Sequence, residues 1–83
     1  MSNRIEALGK VNKILNTIKY SPVIIAEVIL VKEFIALKML SLKLDPLEKK
    51  SCLEDALSKI IDHPLNKELN MLFTEVFKDS YDD

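Results

Sequence analysis

Residues 22–44 read PVIIAEVILVKEFIALKMLSLKL, and they form the longest and most apolar stretch of the 83-residue chain. The charged residues in this stretch are Glu27, Lys32, Glu33, Lys38 and Lys43. A helix that spans a membrane needs about 18 or more residues with few or no charges, so these side chains exclude an ordinary membrane span. We therefore expect the stretch to be the central helix of a small helical protein, covered by the rest of the chain.

A β-strand is the competing interpretation of the same stretch. Residues 23–31 are rich in Val and Ile, which favour strands. The apolar pattern continues, however, through good helix formers at 36–40, and no second candidate strand exists to pair with the first. The stretch therefore predicts a helix over residues 22–43.

On a helix that turns about 100° per residue, this stretch has two broad apolar arcs. The first arc carries Ile24, Val28, Val31, Ile35, Met39 and Leu42, and the second arc carries Val23, Ala26, Leu30, Phe34, Leu37 and Leu44. Glu27, Lys38 and Ser41 share one narrow polar strip. A helix with two apolar arcs contacts partners on two sides, so the second partner is either another helix of this chain or another chain.

Three further apolar stripes predict helices near 3–19, 46–61 and 64–78. Their members are Ala7, Leu8, Val11, Ile14, Leu15 and Ile18; then Leu53, Ala56, Leu57, Ile60 and Ile61; then Leu65, Leu69, Leu72, Phe73, Val76 and Phe77. Helix-start signals precede each helix: Ser2 or Asn3 with Glu6, Ser21-Pro22, Asp45-Pro46 with Glu48, and Pro64. The loops between the stripes are short, so we expect an all-α fold, a small antiparallel bundle of about four helices.

Length and composition indicate one globular domain over residues 1–83, with a frayed acidic tail at 78–83. The chain is 48% apolar and 30% charged, which is typical of a folded protein. It has one Cys, so it can form no internal disulfide, and residues 1–10 contain no apolar signal core. Both features favour a cytoplasmic location.

Charge is divided unevenly along the chain. Residues 1–44 carry seven basic and three acidic side chains, whereas residues 45–83 carry five basic and ten acidic ones. The basic face of the first helix consists of Arg4, Lys10, Lys13 and Lys19. Such a face can bind nucleic acid or lie on a membrane, but so few dispersed charges are more typical of a solvated surface. A net charge of −1 also disfavours a dedicated nucleic-acid binder.

Residues that could carry chemistry are few. Cys52 and His63 would lie about 15 Å apart along a helix, too far to act as a pair, and they cannot supply the four ligands of a zinc site. We interpret Cys52 as a partly buried packing residue and His63 as a helix-boundary residue. Gly9 is the only glycine, which excludes a Gly-rich phosphate loop. We therefore expect no enzyme activity, no metal and no cofactor.

The sequence thus favours a protein-interaction module of the adaptor, regulator, inhibitor or chaperone type. The predicted contact surface is the second arc of the central helix, at Leu30, Phe34, Leu37 and Val23, paired as a homodimer that hides this arc on both copies. We also expect Leu30 and Ile35, on opposite arcs, both to be buried in the functional assembly. The alternatives are a nucleic-acid-associated regulator that uses the basic face and a membrane-associated or immunity-type helical protein.

Overall fold

The computed structural model describes residues 3–20 and 28–78, together with their side chains except those of residues 20, 28 and 29. These two ranges contain α1 (Asn3–Tyr20), α2 (Val28–Ser41), α3 (Pro46–Lys59) and α4 (Asn66–Val76). Neither range contains a strand. The prediction of a small all-α bundle with four helices is confirmed.

The ends of the helices lie close to the predicted positions. α1 ends one residue later than predicted. α2 ends at Ser41 and α3 ends at Lys59, each two residues earlier than predicted, and a turn leads from α2 to Asp45. Residues 28–31 are helical, which excludes the strand interpretation for that part of the central stretch. Residues 22–27, where α2 was predicted to begin, and residues 79–83 of the predicted tail at 78–83 lie outside the described residues.

The start of α3 is fixed by the capping box that the sequence predicts. The backbone N–H of Glu48 donates to Oδ1 of Asp45 at 2.8 Å, and the backbone N–H of Asp45 donates to Oε1 of Glu48 at 3.1 Å. Pro46 occupies the first helical turn, where its missing N–H leaves no hydrogen bond unmade. These local contacts satisfy donors that the first turn of a helix leaves without intrahelical partners.

α4 begins two residues later than the sequence predicts, because tight turns occupy the connection from α3. The backbone N–H of His63 donates to the carbonyl of Ile60, and that of Asn66 donates to the carbonyl of His63, both at 3.0 Å. Nδ1 of His63 accepts a hydrogen bond from the backbone N–H of Leu65 at 3.0 Å. His63 is therefore the helix-boundary residue that we predicted.

The core lies where the four helices meet. α1 packs against α2 and α3, and α4 packs against the same two helices. The buried apolar side chains are Ala7, Val11, Ile14, Ile18, Leu30, Leu37, Leu44, Cys52, Ala56, Ile60, Leu69, Phe73, Val76 and Phe77. The predicted stripe of α3 is wrong at Ile61, which is exposed, and Cys52 is buried in the core. None of the described helices has the length and apolarity needed to cross a membrane.

Candidate interaction surface

The two arcs of α2 face opposite sides of the bundle. Leu30 and Leu37 of the second arc are completely buried within the chain, and Phe34 packs at its edge against Phe73 with the ring centroids 5.5 Å apart. The prediction that the second arc forms an exposed patch is therefore wrong at Leu30 and Leu37. Both lie in the core because α1 and α4 cover that side of α2. Val23, the fourth predicted interface residue, lies outside the described residues.

The first arc is the side of α2 that faces outward. Its large apolar side chains Val31, Ile35, Met39 and Leu42 are between 46% and 59% exposed. They follow one another at spacings of four, four and three residues, so they form a continuous stripe along α2 and into the turn after it, where Leu42 lies. Burial of Leu30 agrees with our expectation, whereas burial of Ile35 requires a partner and stays a prediction.

A groove runs between this stripe and α4. It has a volume of about 340 Å³ and is lined by Val31, Phe34, Ile35 and Lys38 of α2 and by Leu72, Glu75 and Val76 of α4. Leu72 is 37% exposed and extends the apolar surface from α2 across the groove. We call the surface formed by Val31, Ile35, Met39, Leu42 and Leu72 the outward face.

Lys38 anchors the two helices that border the groove. Its Nζ donates to the backbone carbonyl oxygens of Glu75 and Val76, at 3.2 and 3.3 Å. These carbonyls belong to the last turn of α4, where the helix dipole favours a cation. The carbonyl of Glu75 also accepts a hydrogen bond from the backbone N–H of Lys78 at 3.4 Å. The contact holds α4 beside α2 and leaves the apolar walls of the groove open.

The charges along the outward side of α2 are basic. Lys32 and Lys43 are exposed, and Lys38 is half-buried at the groove. The carboxylate of Glu33 instead lies on the α1 side, where its oxygens contact Nζ of Lys10 at 2.9 Å and Nζ of Lys13 at 3.0 Å. These two hydrogen bonds hold the pKa of Glu33 below its ordinary value, and the one from Lys10 has the larger effect. Burial acts in the opposite direction and raises the pKa. The outward face therefore has a rim of lysines with no carboxylate from the described part of α2.

The predicted basic face of α1 is divided between two neighbouring helices. Arg4 contacts α3, where its Nη2 donates to Oγ of Ser51 at 3.0 Å and lies 3.5 Å from Oδ2 of Asp55. Lys10 and Lys13 contact α2 through Glu33. Lys19 is exposed at the far end of α1. The interpretation of all four as a solvated surface is wrong for Arg4 and Lys10, which are half-buried and hold helices together.

A second groove separates α3 from α4. It has a volume of about 450 Å³, and its lining residues are Leu57, Ile60, Ile61, Asn66, Lys67, Asn70 and Met71. Ile61 and Met71 are exposed there, while two Asn and one Lys make the rest of the rim polar. This groove is less apolar than the outward face and has no continuous helical stripe along it.

Sequence reasoning missed the role of α4 in the candidate surface. Leu72 was assigned to the buried stripe of the last helix, but it lies at the edge of that stripe and borders the groove. Ser41, which shares the polar strip with Lys38, is completely buried, and its Oγ has no hydrogen-bond partner among the described residues. No signal in the sequence separates these positions from their neighbours, because both depend on which side of α2 is covered.

The described residues do not gather three His, Cys, Asp or Glu side chains into a group that could hold a metal ion. Cys52 is a free, buried thiol whose pKa is raised by burial, which disfavours the reactive thiolate.

A comparison of the chain with models of known protein families, with curated proteins and with solved structures found no match. The case for function therefore depends on the geometry of the outward face.

Proposed function

We propose that this protein is a non-enzymatic protein-interaction module that binds a helix of a partner protein on its outward face. The observation that carries the proposal is the stripe Val31, Ile35, Met39 and Leu42, whose large apolar side chains are each about half exposed. Contiguous apolar patches of this kind on a small protein mark interaction sites, because exposing them to water is unfavourable.

The shape of the surface supports a helix as the ligand. Two helices border the groove, and apolar side chains of both line it, including Val31, Ile35 and Leu72. An amphipathic helix that binds in such a groove buries its apolar stripe between the two walls and leaves its polar side in water. The ligand would fill the space that a fifth helix of the bundle would occupy.

The charges around the surface indicate which helix would bind best. Lys32 and Lys38 lie on α2 and Lys43 lies in the turn that follows it, whereas Glu33 is already paired with lysines of α1. Glu75 of α4 is the carboxylate residue that lines the groove. A ligand helix with carboxylates beside its apolar stripe would complement these cations, which raises the association rate and selects against basic partners. We therefore propose an apolar helix with acidic flanks as the partner.

The nucleic-acid alternative has less support. A basic surface binds phosphates through cations that are free to release their counterions. Arg4, Lys10 and Lys13 instead contact Ser51, Asp55 and Glu33 of neighbouring helices. A cytoplasmic location remains part of the proposal, since the single Cys is a free thiol.

Site-specific photocrosslinking in cells that express the protein tests the proposal. A photoreactive amino acid in place of Ile35 should form adducts with protein, identified by mass spectrometry. The matched control replaces Ile5, which is 67% exposed on α1 and lies away from the groove. Equal protein adducts at both positions, or no protein adduct at position 35, would contradict the proposal.

A further inference from the structure

We propose that the partner on the outward face is a second copy of this chain, placed so that α2 of each copy packs against α4 of the other. The inference rests on the proposed function and identifies its ligand. It starts from the charges of the two helices that border the groove. Lys32 lies on the outward side of α2 and Lys43 in the turn after it, and α4 carries Glu68 and Glu75; all four side chains are exposed.

α4 has the properties that the outward face requires of a ligand helix. Leu72, which is 37% exposed and lines the groove beside α2, lies between Glu68 and Glu75 in the sequence, whereas Met71 lines the groove between α3 and α4. Positions 68, 72 and 75 recur at spacings of four and three, so they share one side of the helix. This side is apolar in the middle and acidic at both ends, which is the chemistry that complements the lysine rim of α2.

A two-fold axis makes this contact twice. When α2 of one copy lies on α4 of its partner, symmetry places α4 of the first copy on α2 of the partner, as in any isologous dimer. The apolar stripe of α2 and Leu72 of α4 are then buried in both copies, and the lysines of each copy face carboxylates of the other. The alternative dimer, in which α2 packs on α2, brings lysines toward lysines and leaves Leu72 at its margin, so electrostatics disfavours it.

The size of the contact sets the expected affinity. α2 has 14 residues and α4 has 11, so the interface is at the small end of stable protein contacts. We expect a dissociation constant of about 10 μM, within reach of sedimentation velocity and of light scattering.

The first arm of the test measures self-association from low to high micromolar concentration. The natural chain should sediment as a dimer at about 100 μM, above the expected dissociation constant. Ile35→Glu and Met39→Glu should each be folded monomers by circular dichroism and sedimentation, and the control Ile5→Glu should dimerise like the natural chain. A monomeric natural chain at that concentration would overturn the inference, as would a dimer that survives both substitutions on the outward face.

The second arm tests which helices meet. The pair Lys32→Glu with Lys43→Glu, and separately the pair Glu68→Lys with Glu75→Lys, should each weaken the dimer about tenfold or more at low salt. All four substitutions in one chain restore opposite charges across the contact, so the dimer should recover to within a few-fold of the natural affinity. The affinity of an α2–α2 dimer would not change with Glu68→Lys and Glu75→Lys. If the chain with all four substitutions folds but does not recover its affinity, the proposed arrangement is overturned.

The outcomes separate this inference from the proposed function. If the chain is monomeric while a crosslinker at position 35 captures a different, identified protein, the inference fails and the proposed function stands. If the monomer instead sediments with vesicles of anionic lipid, and Ile35→Glu abolishes that binding, the outward face is a membrane-surface site and both proposals fail.

Discussion

The ammonium of Lys10 in α1 lies 2.9 Å from a carboxylate oxygen of Glu33 in α2, in a contact that joins residues 23 positions apart. Lys13 holds the second oxygen of the same carboxylate at 3.0 Å. The Glu33 side chain is only 15% exposed, so water screens it less than an ordinary surface charge. The cluster lies on the side of α2 that faces α1, away from the exposed side chains of Val31 and Ile35.

The Glu33 cluster should make stability depend on pH in the acidic range. The pKa of Glu33 is lower in the folded chain than its reference value of 4.5, so its stabilising effect is fully present above that value and is lost as the pH falls through the folded-state pKa. Glu33→Gln should lower the free energy of unfolding at pH 7 by no more than about 1 kcal/mol, and the difference should shrink as the pH falls below 4.5 and disappear below the folded-state pKa.

Urea unfolding of the natural chain and of Glu33→Gln at several pH values measures this difference. Glu54→Gln, on the exposed side of α3, is the matched control and should follow the natural chain throughout. A difference at pH 7 that persists unchanged in strong acid would show that the two lysines do not account for it.

The two arcs of α2 should respond differently to truncation. At about 1 μM, where the proposed dimer dissociates, Leu37→Ala should cost about 2–5 kcal/mol because it opens a cavity in the core. Ile35→Ala should change stability by no more than about 0.5 kcal/mol, as is usual for a surface position. At about 100 μM the Ile35 variant should lose additional stability, because a dimer stabilises the folded state by mass action.

Thermal unfolding at both concentrations checks this prediction. Val11→Ala in the core of α1 provides a control whose cost should not depend on protein concentration. Equal effects of the Leu37 and Ile35 substitutions at the low concentration would show that the arcs are oriented differently from the structure.

Ser41 should be a position at which a smaller side chain stabilises the fold. Its Oγ is buried and has no partner among the described residues, so the hydroxyl loses hydrogen bonds to water without replacing them. Ser41→Ala should therefore leave stability unchanged or raise it by up to about 1–2 kcal/mol. Ser51→Ala is the matched comparison, and it should be the less stable variant, because Oγ of Ser51 accepts hydrogen bonds from Arg4. Chemical denaturation that ranks the two variants in the opposite order would contradict the assignment.

Lys38 should protect the end of α4 against local opening. Lys38→Met keeps most of the aliphatic side chain but removes the donor to the carbonyls of Glu75 and Val76. Hydrogen exchange at the amide of Phe77, which donates to the carbonyl of Phe73, should become several-fold faster if the lost contact is worth about 1 kcal/mol. The exposed Lys32→Met serves as the control, and equal acceleration in the two variants would argue against a specific role for Lys38.

The sequence alone determined the helices of the described ranges and most of their ends. The repeats of Ala7, Val11, Ile14 and Ile18 predict the buried side of α1, and Asp45 with Glu48 predicts the start of α3, because helical periodicity and capping act between residues three or four positions apart. The same local reasoning placed the start of α4 two residues too early, because successive turns around His63 delay the helix.

Only the tertiary structure decided which side of α2 is the surface. Its two arcs are similarly apolar, so a helical projection cannot rank them, and the sequence favoured the arc of Leu30 and Leu37, which is in fact buried. Contacts between distant residues settle the choice, since Glu33 meets Lys10 and Lys13 of α1 while Phe34 meets Phe73 of α4. α1 and α4 cover Leu30 and Leu37 and leave Val31 and Ile35 in water, because a helix can bury only the side that its neighbours cover.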